Sequence, residues 1–131
     1  MYYLTKEQLL DLHDELMELS GESKSILNES NLDTGIDAPQ QRFYGQEIHE
    51  TIEEKAAELM CKLCKFHPFV AGNKRTSVQA CEIFLDINGY KLNASDDELF
   101  EETKSIAKCD KDTDDVVPFL KSRITRDLDN I

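Results

Sequence analysis

Apolar residues recur along most of the chain at the spacing of three or four residues that is typical of amphipathic α-helices. The first such stripe lies in residues 5–20 and consists of Leu9, Leu12, Leu16 and Leu19. Thr5 and Gln8 can form a capping box at its start, and Gly21 is suited to end it. The pattern therefore predicts an N-terminal helix whose leucine stripe faces the core.

A second long stripe predicts a helix from Glu47 to about His67, where Pro68 disfavours the helical conformation of the residue before it. Its apolar positions are Ile48, Ile52, Ala56, Leu59 and Leu63. Residues 21–46, between the two helices, are polar and contain only short apolar pieces. We predict a long loop there with a short helix near residues 27–36, and loops of this length are usually functional or mobile.

The stretch from Lys74 to about Asn88 predicts the central helix of the fold. Its later polar residues form one narrow stripe of Gln79, Glu82 and Asp86, and the rest of its circumference is mostly apolar. A helix of this kind is surrounded by other helices. Asn88 and Gly89 are suited to end it in a left-handed cap.

Two further helices complete the prediction. Ser95 and Glu98 form a second capping box that opens a helix to about Lys108, and Thr113 or Asp114 opens a last helix to about Asp127. No strand-like alternation of any length occurs. The sequence thus predicts an all-α fold, a helical bundle around one buried central helix, in a single domain over residues 1–131.

Composition narrows the possible functions. The 131-residue chain contains 15 Lys and Arg against 27 Asp and Glu, a net charge of −12. This charge argues against direct DNA binding and against adsorption to anionic lipid, because both need a basic surface. No apolar run approaches the roughly 20 residues of a membrane helix, and the N-terminus has no signal-peptide pattern. We expect an acidic cytoplasmic protein without membrane association.

The four cysteines admit two interpretations. Cys61 and Cys64 form a CxxC pair followed by His67, which is compatible with a zinc site or a redox pair. This spacing runs along a predicted helix, and Cys81 and Cys109 stand alone. Free cysteine is among the most often buried residue types, so we favour buried thiols on amphipathic helices and predict no metal site.

The candidate chemistry lies between Leu59 and Cys81, a stretch that contains Lys and Arg but no Asp or Glu. It leads into the N-terminus of the predicted central helix, whose N–H groups and positive dipole end suit an anion. Gly72 allows a ligand to approach the backbone closely, and Lys74 adds a positive point charge. Arg75 can donate two parallel hydrogen bonds to the oxygens of a phosphate. Phosphate binding is one interpretation, and an exposed helix start with two cations is the other.

Two neighbouring side chains add to this pattern. Asn73 is suited to be the N-cap of the central helix. His67 lies a few residues before it, at the end of the preceding helix. A lone histidine is usually a capping or core residue, but an imidazole is also the side chain best able to accept a proton at neutral pH.

Residues 67–76, HPFVAGNKRT, resemble the motif HxFx(D/E)xN(G/K)R of the Fic/Doc family. The segments LTKEQLLDLHDEL, APQQRFYGQEI and FLDINGY also resemble the Doc (death-on-curing) branch of that family. Lys74 matches this branch, since Fic adenylyltransferases usually have Gly at that position. The resemblance implies a Fic fold, with His67 as general base, Phe69 packed inward, and Asn73 and Arg75 on the phosphates. Gly72 and Lys74 complete the expected cofactor site, and Arg75 also counts among the catalytic residues.

The Doc branch further implies a toxin of a toxin–antitoxin system. Such a toxin would transfer the γ-phosphate of ATP to a threonine of elongation factor Tu and would be inhibited by a Phd-like antitoxin. Because Lys74 fills space that Gly leaves open, the nucleotide could bind reversed and present its γ-phosphate. A Fic-type protein adenylyltransferase and a catalytically inactive Fic-fold binding protein are the alternatives.

One position departs from the motif. In the family, an acidic residue at this position holds Mg²⁺ against the phosphates. This chain has Ala71 there, and alanine cannot coordinate a hard cation. The chain is therefore either a weakened or inactive natural member or one that carries an introduced substitution. Ser25 and Glu29 match part of the self-inhibitory motif of some Fic proteins, but both residue types are common, so we expect inhibition in trans.

Overall fold

The computed structural model of the protein describes residues 1–127, which form six α-helices and two short antiparallel sheets. The helices are α1 (Lys6–Ser20), α2 (Glu29–Asp37), α3 (Ile52–Lys65), α4 (Asn73–Ile87), α5 (Asp96–Ala107) and α6 (Thr113–Lys121), with a 3₁₀ turn at Ala38–Gln40. The strands are β1 (Arg42–Phe43), β2 (Gln46–Glu47), β3 (Tyr90–Leu92) and β4 (Ile124–Arg126). The predicted all-α class is confirmed. No helix within the described residues is long and apolar enough to cross a membrane.

Helix α3 lies at the centre of the bundle, where it contacts α2, α4, α5 and α6. Ten of its 14 residues are buried, compared with six of 15 in α4. The prediction of a bundle around one buried helix is confirmed, but α4 is not that helix. The apolar pattern was misleading because α3 buries charged residues. Lys55 Nζ donates to Pro39 O at 3.0 Å and to Glu47 Oε1 at 3.2 Å, so its charge is satisfied inside the protein.

The predicted start of α1 is confirmed, but its buried face differs from the predicted stripe. Thr5 Oγ1 accepts a hydrogen bond from Gln8 N, and Gln8 Oε1 accepts one from Thr5 N. The fully buried side chains of α1 are Leu9, His13 and Met17, whereas Leu19 is 83% exposed. The helix is rotated because His13 and Met17 pack against the loop before α4.

Helix α3 begins at Ile52 rather than at Glu47. Residues 42–47 instead form the β1–β2 hairpin, in which Arg42 pairs with Glu47. Thr51 then caps α3, since its Oγ1 accepts a hydrogen bond from Glu54 N at 3.1 Å. Ile48, predicted to be a core residue of this helix, is half exposed.

The second predicted capping box, Ser95 with Glu98, is present at the start of α5. The last helix ends at Lys121, so its predicted extension to Asp127 was wrong. The backbone of β4 pairs with β3 instead, with Leu92 opposite Ile124. Strands of two or three residues are too short to show an alternating pattern in the sequence.

Three of the four cysteines are buried, as predicted. Burial raises the pKa of the Cys61 and Cys81 thiols to about 12, which makes both thiols unreactive at neutral pH. Cys109 is exposed and has a φ of 63°, so the prediction of a buried thiol was wrong for this residue.

Candidate functional site

The loop between α3 and α4 presents one imidazole at the surface. Helix α3 ends at Lys65, and His67 then adopts a φ of 47°, a left-handed conformation that histidine tolerates better than most residues with a side chain. Pro68 and Phe69 are buried, while His67 is exposed. The two buried residues anchor the loop in the core, and the turn before them directs His67 outward.

Asn73 holds this loop in shape. Its Oδ1 accepts a hydrogen bond from Phe69 N at 3.0 Å, and its Nδ2 donates to Phe69 O at 2.9 Å. The N-cap of α4 is Gly72, with a φ of 78°, so the prediction that Asn73 caps the helix was wrong. The side chain of Asn73 is engaged with the loop backbone, and its own N–H belongs to the first turn of α4.

Helix α1 supports the loop from behind. The fully buried ring of His13 stacks on Phe69, with the ring centroids 3.6 Å apart and an interplanar angle of 8°. His13 Nε2 lies 2.8 Å from the carbonyl oxygen of Ala71. A Cβ added to Gly72 would lie only 2.1 Å from Met17 Cε. Sequence reasoning missed His13 and Met17, whose one signal is that they follow Leu9 at successive intervals of four residues along α1.

Gly72→Ala is therefore expected to lower the free energy of unfolding by about 2–5 kcal/mol. The left-handed backbone costs a residue with a Cβ about 1–2 kcal/mol, and forcing Met17 out of a packed site adds about 1–3 kcal/mol. Gly21→Ala is the matched control, because Gly21 has a φ of 72° and open space where its Cβ would lie. Urea denaturation of both variants checks this, and equal losses would contradict the packing contribution.

Residues 25–31 run along the outer side of the loop. Leu27 N and Asn28 N both donate to Pro68 O, at 2.8 and 3.0 Å, and Val70 N donates to Ser25 O at 3.1 Å. The long loop predicted from the sequence thus borders the candidate site. The short helix predicted near residues 27–36 is confirmed as α2, and the β1–β2 hairpin is order that was not predicted.

His67 and the start of α4 line a single cleft of about 440 Å³, together with Phe100 of α5. The structure brings together in this cleft all the candidate residues predicted from the sequence: His67, Ala71, Gly72, Asn73, Lys74 and Arg75. No Asp or Glu is among the residues that line it. The first-turn N–H groups of a helix have no partner within the helix. Together with the two cations, they make this cleft suitable for phosphate groups.

Arg75 forms an ion pair with Glu22, which follows α1. The hydrogen bond from the guanidinium lowers the pKa of the Glu22 carboxyl. Both side chains are about half exposed, 48% and 42%, and ion pairs with that exposure are weak. A phosphate that enters the cleft can therefore displace Glu22. Glu29, the acid of the partial self-inhibitory motif, pairs instead with Lys6, at 2.7 Å.

The residues of this cleft do not fit a protein-bound Mg²⁺. Ala71 occupies the acidic position of the motif, and none of the residues that line the cleft has a carboxylate. Among residues 1–127, no group of three or more His, Cys, Asp or Glu side chains is arranged to hold a metal ion. Mg²⁺ is normally bound through one or two carboxylates in addition to the substrate phosphates. The cleft thus offers phosphate-binding groups without a metal ligand.

Comparisons with known proteins show the family of this chain. The model of the Fic/DOC family matches residues 3–85. Toxin Doc of Mycolicibacterium smegmatis (strain ATCC 700084 / mc(2)155) is 36% identical over 95 residues, which are 72% of this chain and 71% of that protein. The region matched by the family model includes the loop, the start of α4 and His13 on α1. The chain therefore belongs to the Fic/Doc family.

Proposed function

We propose that the protein is the toxin of a toxin–antitoxin system and transfers the γ-phosphate of ATP to a threonine hydroxyl of a translation protein. The observation that carries the proposal is one exposed imidazole, His67, in the same cleft as a helix N-terminus flanked by Lys74 and Arg75. The similarity to Toxin Doc supports the toxin class. The resemblance to the Doc branch favours elongation factor Tu as the target, with the reaction in the cytoplasm.

ATP would bind through its phosphates at the start of α4. The N–H groups of residues 72–75 and the positive end of the helix dipole would face the phosphate oxygens. Arg75 would release Glu22 and donate two parallel hydrogen bonds to oxygens of one phosphate. Lys74 would add a second positive charge. Within residues 1–127, Lys74 has no ion-pair partner that would compete for it.

His67 would act as the general base. The threonine Oγ forms a bond to the γ-phosphorus, the bond from that phosphorus to the oxygen bridging to the β-phosphate breaks, and ADP leaves. The imidazole takes the hydroxyl proton as the oxygen attacks. A positioned base contributes about 10²–10⁴-fold to the rate of such a step. The exposure of His67 leaves it accessible to a hydroxyl of another protein.

Adenylyl transfer is the second candidate, in which the threonine would attack the α-phosphorus and release pyrophosphate. Lys74 disfavours it, because its side chain lines the cleft where adenylyltransferases of the family usually have Gly. Ala71 favours a third candidate, a Fic-fold protein that binds a nucleotide or a partner without catalysis.

The mass of the modified target distinguishes these candidates. Purified elongation factor Tu is incubated with ATP and either this protein or its Ala71→Asp variant, and intact masses are measured. Addition of one phosphate supports phosphoryl transfer, and addition of one nucleoside monophosphate supports adenylyl transfer. An unmodified target with both proteins, while ATP still binds, would support the binding protein instead.

We also propose that the protein's inhibitor is a separate, Phd-like antitoxin whose helix covers the cleft. In this structure Glu29 of the partial self-inhibitory motif lies against Lys6 on α1, and the acid that pairs with Arg75 is Glu22. An inhibitor from another chain would therefore have to supply the cover. Co-expression of the antitoxin with the Ala71→Asp variant should restore growth if this pairing is correct.

The tip of the β1–β2 hairpin is expected to contact the protein target. Phe43 and Tyr44 pack edge to face at this tip, with centroids 4.5 Å apart, and are 67% and 92% exposed. Exposed aromatic residues are enriched among those that contribute most to protein interfaces. Pro39, which precedes the hairpin, is buried and its carbonyl oxygen accepts a hydrogen bond from Lys55 Nζ, so we assign the target contact to the tip alone.

Replacing Phe43 and Tyr44 with Ser should reduce target modification by about 10–100-fold, because loss of such anchors typically costs about 2 kcal/mol or more. ATP affinity and melting temperature should stay near the parent values. Ile87→Ser is the matched control, since Ile87 is 40% exposed at the opposite end of α4 from the cleft. Unchanged modification by the hairpin variant would contradict this assignment.

A further inference from the structure

We propose that His13 is a positioning residue of the phosphate site, which orients the peptide between Ala71 and Gly72 so that the Gly72 N–H faces the cleft. This inference rests on the proposed function, because it assumes that phosphate binds at the start of α4. His13 lies on α1, 58 residues away in sequence, and does not line the cleft.

The contact between His13 and Ala71 fixes the tautomer of the ring. Nε2 is 2.8 Å from the carbonyl oxygen of Ala71, and a carbonyl oxygen can only accept a hydrogen bond. Nε2 must therefore carry the hydrogen. In the neutral ring Nδ1 is then an acceptor, and in this structure it is buried without any hydrogen-bond partner. The ring has no exposed surface.

The unpartnered Nδ1 argues against a role in stability alone. A buried polar atom without a partner costs about 1–3 kcal/mol, and an apolar side chain of similar shape would avoid that cost. The stack on Phe69, with centroids 3.6 Å apart, could equally be made by phenylalanine. What phenylalanine could not supply is the hydrogen bond to Ala71 O.

This hydrogen bond determines where the next N–H points. None of the peptide bonds within residues 1–127 is cis, and in a planar trans peptide the C=O and N–H groups point in opposite directions. Since the Ala71 C=O points to His13 on α1, the Gly72 N–H points away from α1. It has no hydrogen-bond acceptor among the described residues, and Gly72 lines the cleft. The N–H is therefore available to a phosphate oxygen.

Two further contacts hold the peptide in this orientation. Met17, one helical turn after His13, lies against Gly72 so closely that no Cβ fits there. Phe69 is held by the His13 ring on its face and by Asn73 at its backbone. Without the donor on His13, the Ala71 carbonyl oxygen would lose this hydrogen bond, and any rotation of the peptide that brought the oxygen to the cleft would place a partial negative charge against a phosphate.

Two variants separate the hydrogen bond from the packing. His13→Phe keeps an aromatic ring against Phe69 but removes the donor, and His13→Gln keeps a neutral N–H donor at a similar reach. We expect His13→Phe to weaken ATP binding about tenfold, the effect of one lost hydrogen bond to a charged group. His13→Gln should stay within about threefold of the parent, and His13→Phe should melt no lower than the parent. If affinity and melting temperature fell together in both variants, His13 would be merely structural.

Nuclear magnetic resonance of the ATP-free protein tests the orientation directly. Residual dipolar couplings should report the same Gly72 N–H direction in the parent and His13→Gln, and a different one in His13→Phe. An unchanged direction in His13→Phe would overturn the inference. A parent protein that does not bind ATP would defeat the proposed function, and the N–H direction would still decide the role of His13. If His13→Phe does not fold, the ring ¹⁵N spectrum of the parent decides, because an Nδ1–H tautomer would overturn the inference.

Discussion

Ala71→Asp is expected to raise the rate of phosphoryl transfer by about 10²–10³-fold, the usual effect of one group that stabilises charge in the transition state. Residue 71 lines the cleft between His67 and the first turn of α4. A carboxylate there would provide the oxygen ligand for Mg²⁺ that the cleft lacks. The change should leave the loop intact, because His13 contacts the backbone of Ala71 rather than its side chain.

The test compares magnesium dependence and toxicity. Magnesium should raise the ATP affinity of the Ala71→Asp variant more than that of the parent, and expression of the variant should arrest growth of the host more strongly. Ala71→Asn is the matched control, because its side chain has the same shape as Asp without the charge. Equal magnesium dependence in all three proteins would show that residue 71 does not hold the metal.

Much of the fold could be predicted because the signals that start and end helices are local. The capping boxes at Thr5 and Ser95 each involve residues only three positions apart, and both are present in the structure. The loop before α4 was predicted for the same reason, since Pro68 disfavours the helical conformation of the residue before it wherever it occurs. Local chemistry of this kind is visible in one sequence.

The errors concern interactions between distant parts of the chain. Nothing near Lys55 indicates that its charge will be satisfied by Pro39 O and Glu47, so α3 did not look like a central helix. The pairing of β4 with β3 joins segments more than 30 residues apart, and it overrode the helical pattern after Lys121. In each case tertiary contacts decided the outcome.

The candidate site shows the same division. Residues 67–75 could be predicted because the charge pattern, Gly72 and the family motif lie in one short stretch. His13 could not, since its partners Phe69 and Ala71 are more than 50 residues away. From the sequence we also predicted that Asn73 is the N-cap of α4. The N-cap is instead Gly72, whose φ is left-handed, and Asn73 is the first residue of the helix.

His67→Ala, in the Ala71→Asp background, is expected to lower target modification by about 10²–10⁴-fold while leaving ATP affinity nearly unchanged. The phosphates would be held by the first turn of α4 and by Arg75, and neither depends on the imidazole. The ring would act only on the incoming hydroxyl, whose proton must leave as the oxygen attacks.

Two further variants exclude trivial causes of this loss. His67 has a φ of 47°, which alanine tolerates less well than asparagine, so His67→Asn should keep the turn and still be inactive. His49→Ala removes a histidine that does not line the cleft and should retain activity. A folded, ATP-binding His67→Asn protein that modified its target at the background rate would show that the motif histidine is not the base. The proton acceptor would then have to be the carboxylate introduced by Ala71→Asp or a group outside the cleft, because the other side chains that line the cleft are apolar, amide or cationic.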